Sequence, residues 1–183
     1  MGNARLWVFG YGSLMWNPGF AHDKRAIARL SGYARTFCMR SIHHRGTPEH
    51  PGLVLALDAV AGSACDGLVF RVTPGSEAQT LDDLRERELI SSAYLEKTLP
   101  VDIVNGARVQ AVTFVVDAEH VQYCGGLPLI EQAEIIASAT GGRGANTDYL
   151  YSTTEHLAEL GISDPDLEWL SQRVRKIAQN APV

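Results

Sequence analysis

The sequence predicts a single α+β domain, and three observations lead there. Six short runs rich in β-branched and aromatic residues occupy the chain up to about residue 116, each ended by Gly, Pro, Asn or Asp. One amphipathic helix interrupts them and three more helical segments follow, so strands and helices segregate rather than alternate. No internal repeat, low-complexity tract or long linker divides the 183 residues, a length that suits one core.

The elements follow in chain order. The first strand, residues 5–9, carries the apolar run Trp7-Val8-Phe9 and stops at Gly10-Tyr11-Gly12-Ser13. Asn17-Pro18-Gly19 reads as a loop, as does Pro48 to Gly52, between strands expected at 34–40 and 52–58. The next strand, 65–72, ends at Thr73-Pro74-Gly75, after which Ser76 is placed to cap a helix from about 77 to 90. Strands at 98–104 and 107–116 flank Asn105-Gly106, a hairpin signal of the kind that takes two positive φ values. Helices are expected at about 128–139, 147–160 and 165–178. Gly161 marks a helix stop, and Ser163-Asp164-Pro165 a start with Pro in the first turn. The glycines of T-G-G-R-G-A-N-T-D-Y-L fall between two helices, where a structural helix-turn-helix corner accounts for them. That stretch fails G-x-G-x-x-G and follows no strand, which argues against a dinucleotide site.

Composition removes several classes of function. The chain is 45% hydrophobic and 20% charged, with a net charge of −5 and no dense basic block, so nucleic acid is not an expected partner. No run approaches the ~20 apolar residues of a membrane span. The first residues lack the pattern of a secretory signal, and Gly2 fails the myristoylation pattern because Leu6 stands where Ser or Thr is required. A cytoplasmic protein is therefore expected. Cys38, Cys65 and Cys124 are few and widely spaced, and the six histidines form no H-x-x-x-H or H-E-x-x-H pattern. Neither a disulfide framework nor a metal site is expected, and no cofactor motif is complete.

Three stretches carry candidate chemistry. In W-V-F-G-Y-G-S-L, glycines at 10 and 12 permit positive φ and remove Cβ obstruction, so backbone N–H groups can converge on an anion. Taken alone, the stretch is read first as a tight turn with no ligand. In L-D-D-L-R-E-R-E-L-I, residues 81–90, Leu81, Leu84 and Glu88 share one helical face while Glu86 points away with Asp82 and Asp83. Glu86 is thus solvated, and Glu88 is an acid on an apolar face, where desolvation raises its pKa. A boundary Glu88 paired with Arg85, Arg87 or Lys97 is the alternative. In S-I-H-H-R-G-T-P-E-H-P-G, residues 41–52, Arg45 is a candidate carboxylate partner, and a polar surface loop explains the stretch as well.

Taken together, these stretches resemble the ChaC family of glutathione-specific γ-glutamylcyclotransferases, closest to its bacterial branch. The matching segments are W-V-F-G-Y-G-S-L-M-W-N-P at 7–18, G-Y-A-R-T-F at 32–37, H-R-G-T-P-x-x-P-G at 44–52, R-E-L-I-S-S-A-Y at 87–94 and N-T-D-Y-L at 146–150. They occur in family order and cover about residues 6–178. The resemblance implies a small mixed β-barrel flanked by helices. It implies one essential glutamate in an R-E motif, and counting six residues back from Tyr94 selects Glu88 over Glu86. It implies that Val8, Phe9, Gly10, Tyr11, Gly12, Ser13 and Leu14 form the loop that binds the γ-glutamyl group.

The implied reaction converts glutathione into 5-oxoproline and cysteinylglycine, with no cofactor, no metal and no obligatory protein partner. Action on another γ-glutamyl amine or dipeptide is the alternative within this class, and a non-catalytic γ-glutamyl-binding module is the alternative outside it. Two departures bear on substrate preference. Many members carry Gly-Gly before the tyrosine, where this chain has Ser92-Ala93, and many carry Arg after Pro-Gly, where this chain has Leu53.

Overall fold

The computed structural model describes residues 5–181; Gly2 and the two ends of the 1–183 span lie outside them. Five strands, β1 (Trp7–Gly10), β2 (His22–Ser41), β3 (Gly52–Val72), β4 (Tyr94–Ile103) and β5 (Arg108–Val116), close a barrel in the order β1-β3-β2-β4-β5. The barrel is mixed: β1 runs parallel to β5 at Val8↔Val112 and antiparallel to β3 from Trp7↔Arg71 to Gly10↔Leu68. Among the described residues there are four α-helices: α1 (Glu77–Glu88), α2 (Leu129–Ser138), α3 (Asn146–Glu159) and α4 (Pro165–Gln179). This is the α+β mixed barrel with helices that the resemblance implies.

The chain forms two compact units, residues 1–36 with 56–120, and residues 37–55 with 121–183; β2 and β3 give residues to both. In the first unit Phe9, Leu30, Leu57, Val69, Val101 and Val115 are buried in the barrel core, with Trp7 and Tyr11 packed against them. Burying one such side chain stabilises the fold by about 1.5–3 kcal/mol. The β4–β5 hairpin is in register from Tyr94↔Val116 to Asp102↔Arg108.

In the second unit Leu150, Leu157, Leu167, Leu170 and Val174 of α3 and α4 are buried. Asn146, itself fully buried, accepts from the Leu53 N–H at 2.7 Å and donates to the Leu53 carbonyl at 2.8 Å. One amide side chain therefore satisfies both backbone groups of a residue at the start of β3. Arg45 donates to the Ala145 carbonyl at 3.1 Å and lies over the Tyr149 ring, 5.6 Å from its centroid. The 41–52 loop is thus tied into its unit rather than left as a polar surface loop.

Helix ends agree closely with expectation. Asp164 caps α4 by accepting from the Leu167 N–H at 3.2 Å, and Gly161 takes φ 73° after α3. Ser76 occupies the N-cap of α1 without a side-chain bond; instead the Glu77 carboxylate accepts from the Gly75 N–H at 2.7 Å.

Four expectations are corrected. The strand expected at 34–40 begins at His22, because the charged residues of its first half face outward and two of them, Asp23 and Arg29, pair across the sheet. Arg71 grips Asp23 at 2.6 and 2.9 Å, and Arg29 grips Asp66 at 2.7 and 2.9 Å. The strands expected at 52–58 and 65–72 are one, Gly52–Val72, with Gly62 at φ 81° letting the strand bend without ending. At the Asn105-Gly106 turn only Asn105 takes a positive φ, 55°; Gly106 is there for space, since a Cβ would lie 2.8 Å from Ile103 Cγ2. The glycines after α2 form a two-stranded hairpin, β6 (Thr140–Gly141) with β7 (Gly144–Ala145), not a plain helix corner.

Candidate functional site

The candidate site lies in the first unit, where the turn after β1 meets the end of α1. α1 buries Thr80 and Leu84, half-buries Leu81 and exposes Asp82, Asp83 and Glu86, so the expected apolar face is the packed one. Glu88 is the last helical residue on that face, its side chain 23% exposed. Burial pushes its carboxyl above the usual glutamate range, and the nearby Arg87 guanidinium pulls it back less strongly. Arg87 Nε lies 3.3 Å from Glu88 Oε1. That is longer than the ~2.7–2.9 Å of a strong charge-assisted bond, consistent with burial prevailing. Glu96, by contrast, is gripped by Arg85 at 2.7 and 3.0 Å, and that hydrogen bond holds its carboxyl below the usual range.

The turn is built by β1 and by one arginine. Val8 and Phe9 are 0% and 2% exposed; Phe9 anchors the segment in the barrel core, and Val8 is buried on the opposite face of β1. Ser13–Met15 forms a 3₁₀ turn closed by the Met15 N–H on the Gly12 carbonyl at 2.9 Å. The opening amides of such a turn, those of Ser13 and Leu14, have no acceptor within it. Neither Gly10 nor Gly12 takes a positive φ, which corrects that part of the expectation. At Gly10 a Cβ would lie 2.9 Å from Leu14 Cδ2, so a larger residue there would have to move the tip of the Leu14 side chain. Around Gly12 no other described residue comes within 4 Å of a Cβ position, so this side of the turn is open. Arg35, 7% exposed, donates from Nε to the Tyr11 carbonyl at 2.7 Å and from Nη2 to the Asp66 carbonyl.

The two halves of the site are joined by Arg87. Beyond its contact with Glu88, it donates to Ser13 Oγ at 3.1 Å and to the Asn17 carbonyl at 2.9 Å. The structure therefore brings Gly10, Tyr11, Gly12, Ser13 and Leu14 to the same region as Glu88. Arg45 and Tyr149 belong to the other unit, and Tyr94 opens β4, half-buried, opposite Val116. Arg35 and Arg87 were not singled out as site residues by sequence, because their acceptors are backbone carbonyls and a hydroxyl distant in the chain.

Among the described residues no three His, Cys, Asp or Glu side chains converge as a metal-holding group, and no helix is long and apolar enough to cross a membrane.

Beyond Glu88 the chain leaves α1 through Ser92, which holds a positive φ of 57° where many of the resembling proteins carry glycine. A left-handed residue costs an L side chain about 1–2 kcal/mol, offset in part by the extra freedom glycine has when unfolded. Ser92→Gly is expected to raise stability by about 0.5–1 kcal/mol in denaturant melts. An unchanged or lower midpoint would refute the strain.

Comparison with known proteins follows the same residues. The model of the ChaC-like protein family matches residues 6–177. The glutathione-specific γ-glutamylcyclotransferase of Escherichia coli is 36% identical over 178 residues, covering 97% of this chain and 76% of that protein. The γ-glutamylcyclotransferase 2-1 of Arabidopsis thaliana is 36% identical over 179 residues, covering 93% of this chain and 82% of its own. In fold, the chain is similar to a crystal structure of a yeast γ-glutamylcyclotransferase specific to glutathione, with a TM-score of 0.85 and 22% identity, covering 99% of this chain and 100% of that one.

Proposed function

Since the chain belongs to the ChaC-like protein family, we propose that it cleaves glutathione by cyclising the γ-glutamyl group to 5-oxoproline and releasing cysteinylglycine, with Glu88 as general base and acid. The observation that carries this reading is a carboxyl raised by burial at the end of α1, one guanidinium away from an open glycine turn.

The chemistry needs little else. The substrate's own α-amine attacks its γ-carbonyl, closing a five-membered lactam, so the nucleophile comes with the substrate. Holding the γ-glutamyl chain curled puts amine and carbonyl in near-attack contact, worth about 7–11 kcal/mol at best. The amine is mostly protonated at neutral pH and attacks only after losing that proton. Glu88 accepts it and returns a proton to the departing cysteinyl nitrogen. A carboxyl near the ordinary ~4.3 is poorly matched to both tasks, and one raised by burial is better matched.

In this reading Val8–Leu14 is the substrate loop. Val8 and Phe9 hold it from the two buried faces of β1, and the amides of the Gly10–Leu14 turn bind anionic oxygen, of the α-carboxylate or of the tetrahedral carbon.

Incubation of the purified protein with glutathione is expected to yield 5-oxoproline and cysteinylglycine in equal amounts. Faster 5-oxoproline release from another γ-glutamyl dipeptide would overturn the substrate and keep the reaction. Protection of the protein against thermal unfolding by glutathione, without product, would overturn the catalysis itself.

A further inference from the structure

One side chain at the site has more contacts than an ion pair requires. The Arg87 guanidinium lies 3.3 Å from Glu88 Oε1, 3.1 Å from Ser13 Oγ, 2.9 Å from the Asn17 carbonyl and 3.5 Å from that of Pro18. Gly19, at φ 77°, then turns the chain around it, and a Cβ there would sit 3.6 Å from Arg87 Nη1. The planar fork is thus spread over one residue of α1 and three of the 13–18 turn, and most of its donors are occupied by protein. A guanidinium filled in this way is poorly placed to act as a substrate ligand and well placed to fix two elements together.

We infer that Arg87 is a positioning residue, whose guanidinium locks the Glu88 carboxylate to the substrate turn so that base and loop keep a single geometry. The inference rests on the reading of Glu88 as the base. Arg85, two residues earlier, does not share the task, since Glu96 of β4 and Asp82 of α1 occupy it. Among the described residues Arg87 is the charged neighbour whose field acts on Glu88, opposing the effect of burial. The same group that sets the carboxylate's position therefore also biases its proton occupancy.

The test is a pH profile of kcat/KM with glutathione for wild type, Arg87→Met, Arg87→Lys and Glu88→Gln. With the base freed from the turn, Arg87→Met is expected to lose on the order of 10²-fold in kcat, the scale of a misplacement of about 1 Å. Its KM changes less. Its acid limb moves to higher pH, because the charge that favours ionised Glu88 is gone. Arg87→Lys keeps the charge without the fork, so the limb returns toward the wild-type position while kcat recovers only in part. Should Arg87→Met fail to fold, Arg87→Lys carries the same test through its kcat loss at an unmoved limb. Wild-type kcat and limb in either folded variant, beside an inactive Glu88→Gln, overturn the positioning role alone. An active Glu88→Gln overturns the base assignment, and this inference with it.

Discussion

Glu88→Gln is expected to lose turnover and gain stability at neutral pH in the same protein. The loss follows from the chemistry: an amide neither accepts the α-amine proton nor supplies one to the leaving nitrogen, and general acid–base catalysis contributes about 10²–10⁴-fold. The shape is preserved, because glutamine is isosteric with glutamate and its amide oxygen can lie where Oε1 does, 3.3 Å from Arg87 Nε. The gain follows from proton linkage. Burial raises the Glu88 carboxyl above its ordinary value, so the folded chain holds this proton more tightly than the unfolded chain does. Below the usual glutamate range near ~4.3 the group is protonated in both states and costs nothing. As pH rises through the raised folded value, that contribution is lost, because a partly buried carboxylate must ionise in place. Glutamine never ionises, so the excess in Tm of the variant over wild type grows with pH across this window. Melts at several pH values, set beside cysteinylglycine release, check both halves. Near-wild-type release sinks the base assignment, and a Tm difference that shrinks as pH rises sinks the burial argument.

How far the sequence carries this site depends on whether a contact is local. The helical spacing of Leu81, Leu84 and Glu88 already separates Glu88 from Glu86, because one face of one helix is a local property, and burial agrees. The stop at Gly161 and the Asp164-Pro165 start are local too: Gly161 directly follows the α3 C-cap Leu160, and α4 begins at Pro165. The role of Arg87 is of the other kind. In R-E-R-E it is one charge among four, and its acceptors Ser13 and Asn17 lie 74 and 70 residues away. The same holds for Arg35, whose acceptors at Tyr11 and Asp66 are 24 and 31 residues distant. The first half of β2 was illegible for a related reason. Asp23, Lys24, Arg25 and Arg29 break an apolar alternation, and only the opposite strand, with Arg71 and Asp66, shows what two of these charges are for. Of the two reasons the sequence offered for the glycines of the turn after β1, positive φ fails at both, and a Cβ would be crowded only at Gly10, against Leu14; nothing in the structure explains the glycine at position 12.

Crowding of that kind sets the second large expectation, at Gly67. This glycine of β3 sits beside Leu68, the register partner of Gly10, and a Cβ on it would lie 2.3 Å from the Gly10 carbonyl oxygen and 2.8 Å from the Phe9 ring. A backbone oxygen cannot swing aside as a side-chain tip can, so Gly67→Ala must force β1 away from β3. Overpacking costs about 1–3 kcal/mol and occasionally more. At about 2–4 °C per kcal/mol for a chain of this length, Tm falls by several degrees. The displacement acts where Arg35 spans the two strands, from the Tyr11 carbonyl to that of Asp66. It therefore reaches the turn, and KM for glutathione rises even at temperatures where the variant is fully folded. Gly161→Ala separates this from general weakening. At φ 73°, with open space around its Cβ position, it costs about 1–2 kcal/mol through backbone strain alone, in the unit that does not hold the turn, and leaves KM unchanged. Native Tm in Gly67→Ala would show that β1 and β3 have slack, and equal KM in the two variants would show that the turn does not depend on their spacing. With Gly67 intact, β3 lets Gly10 sit close enough for Arg35 to hold the loop, and Arg87 fastens the other end of that loop to Glu88.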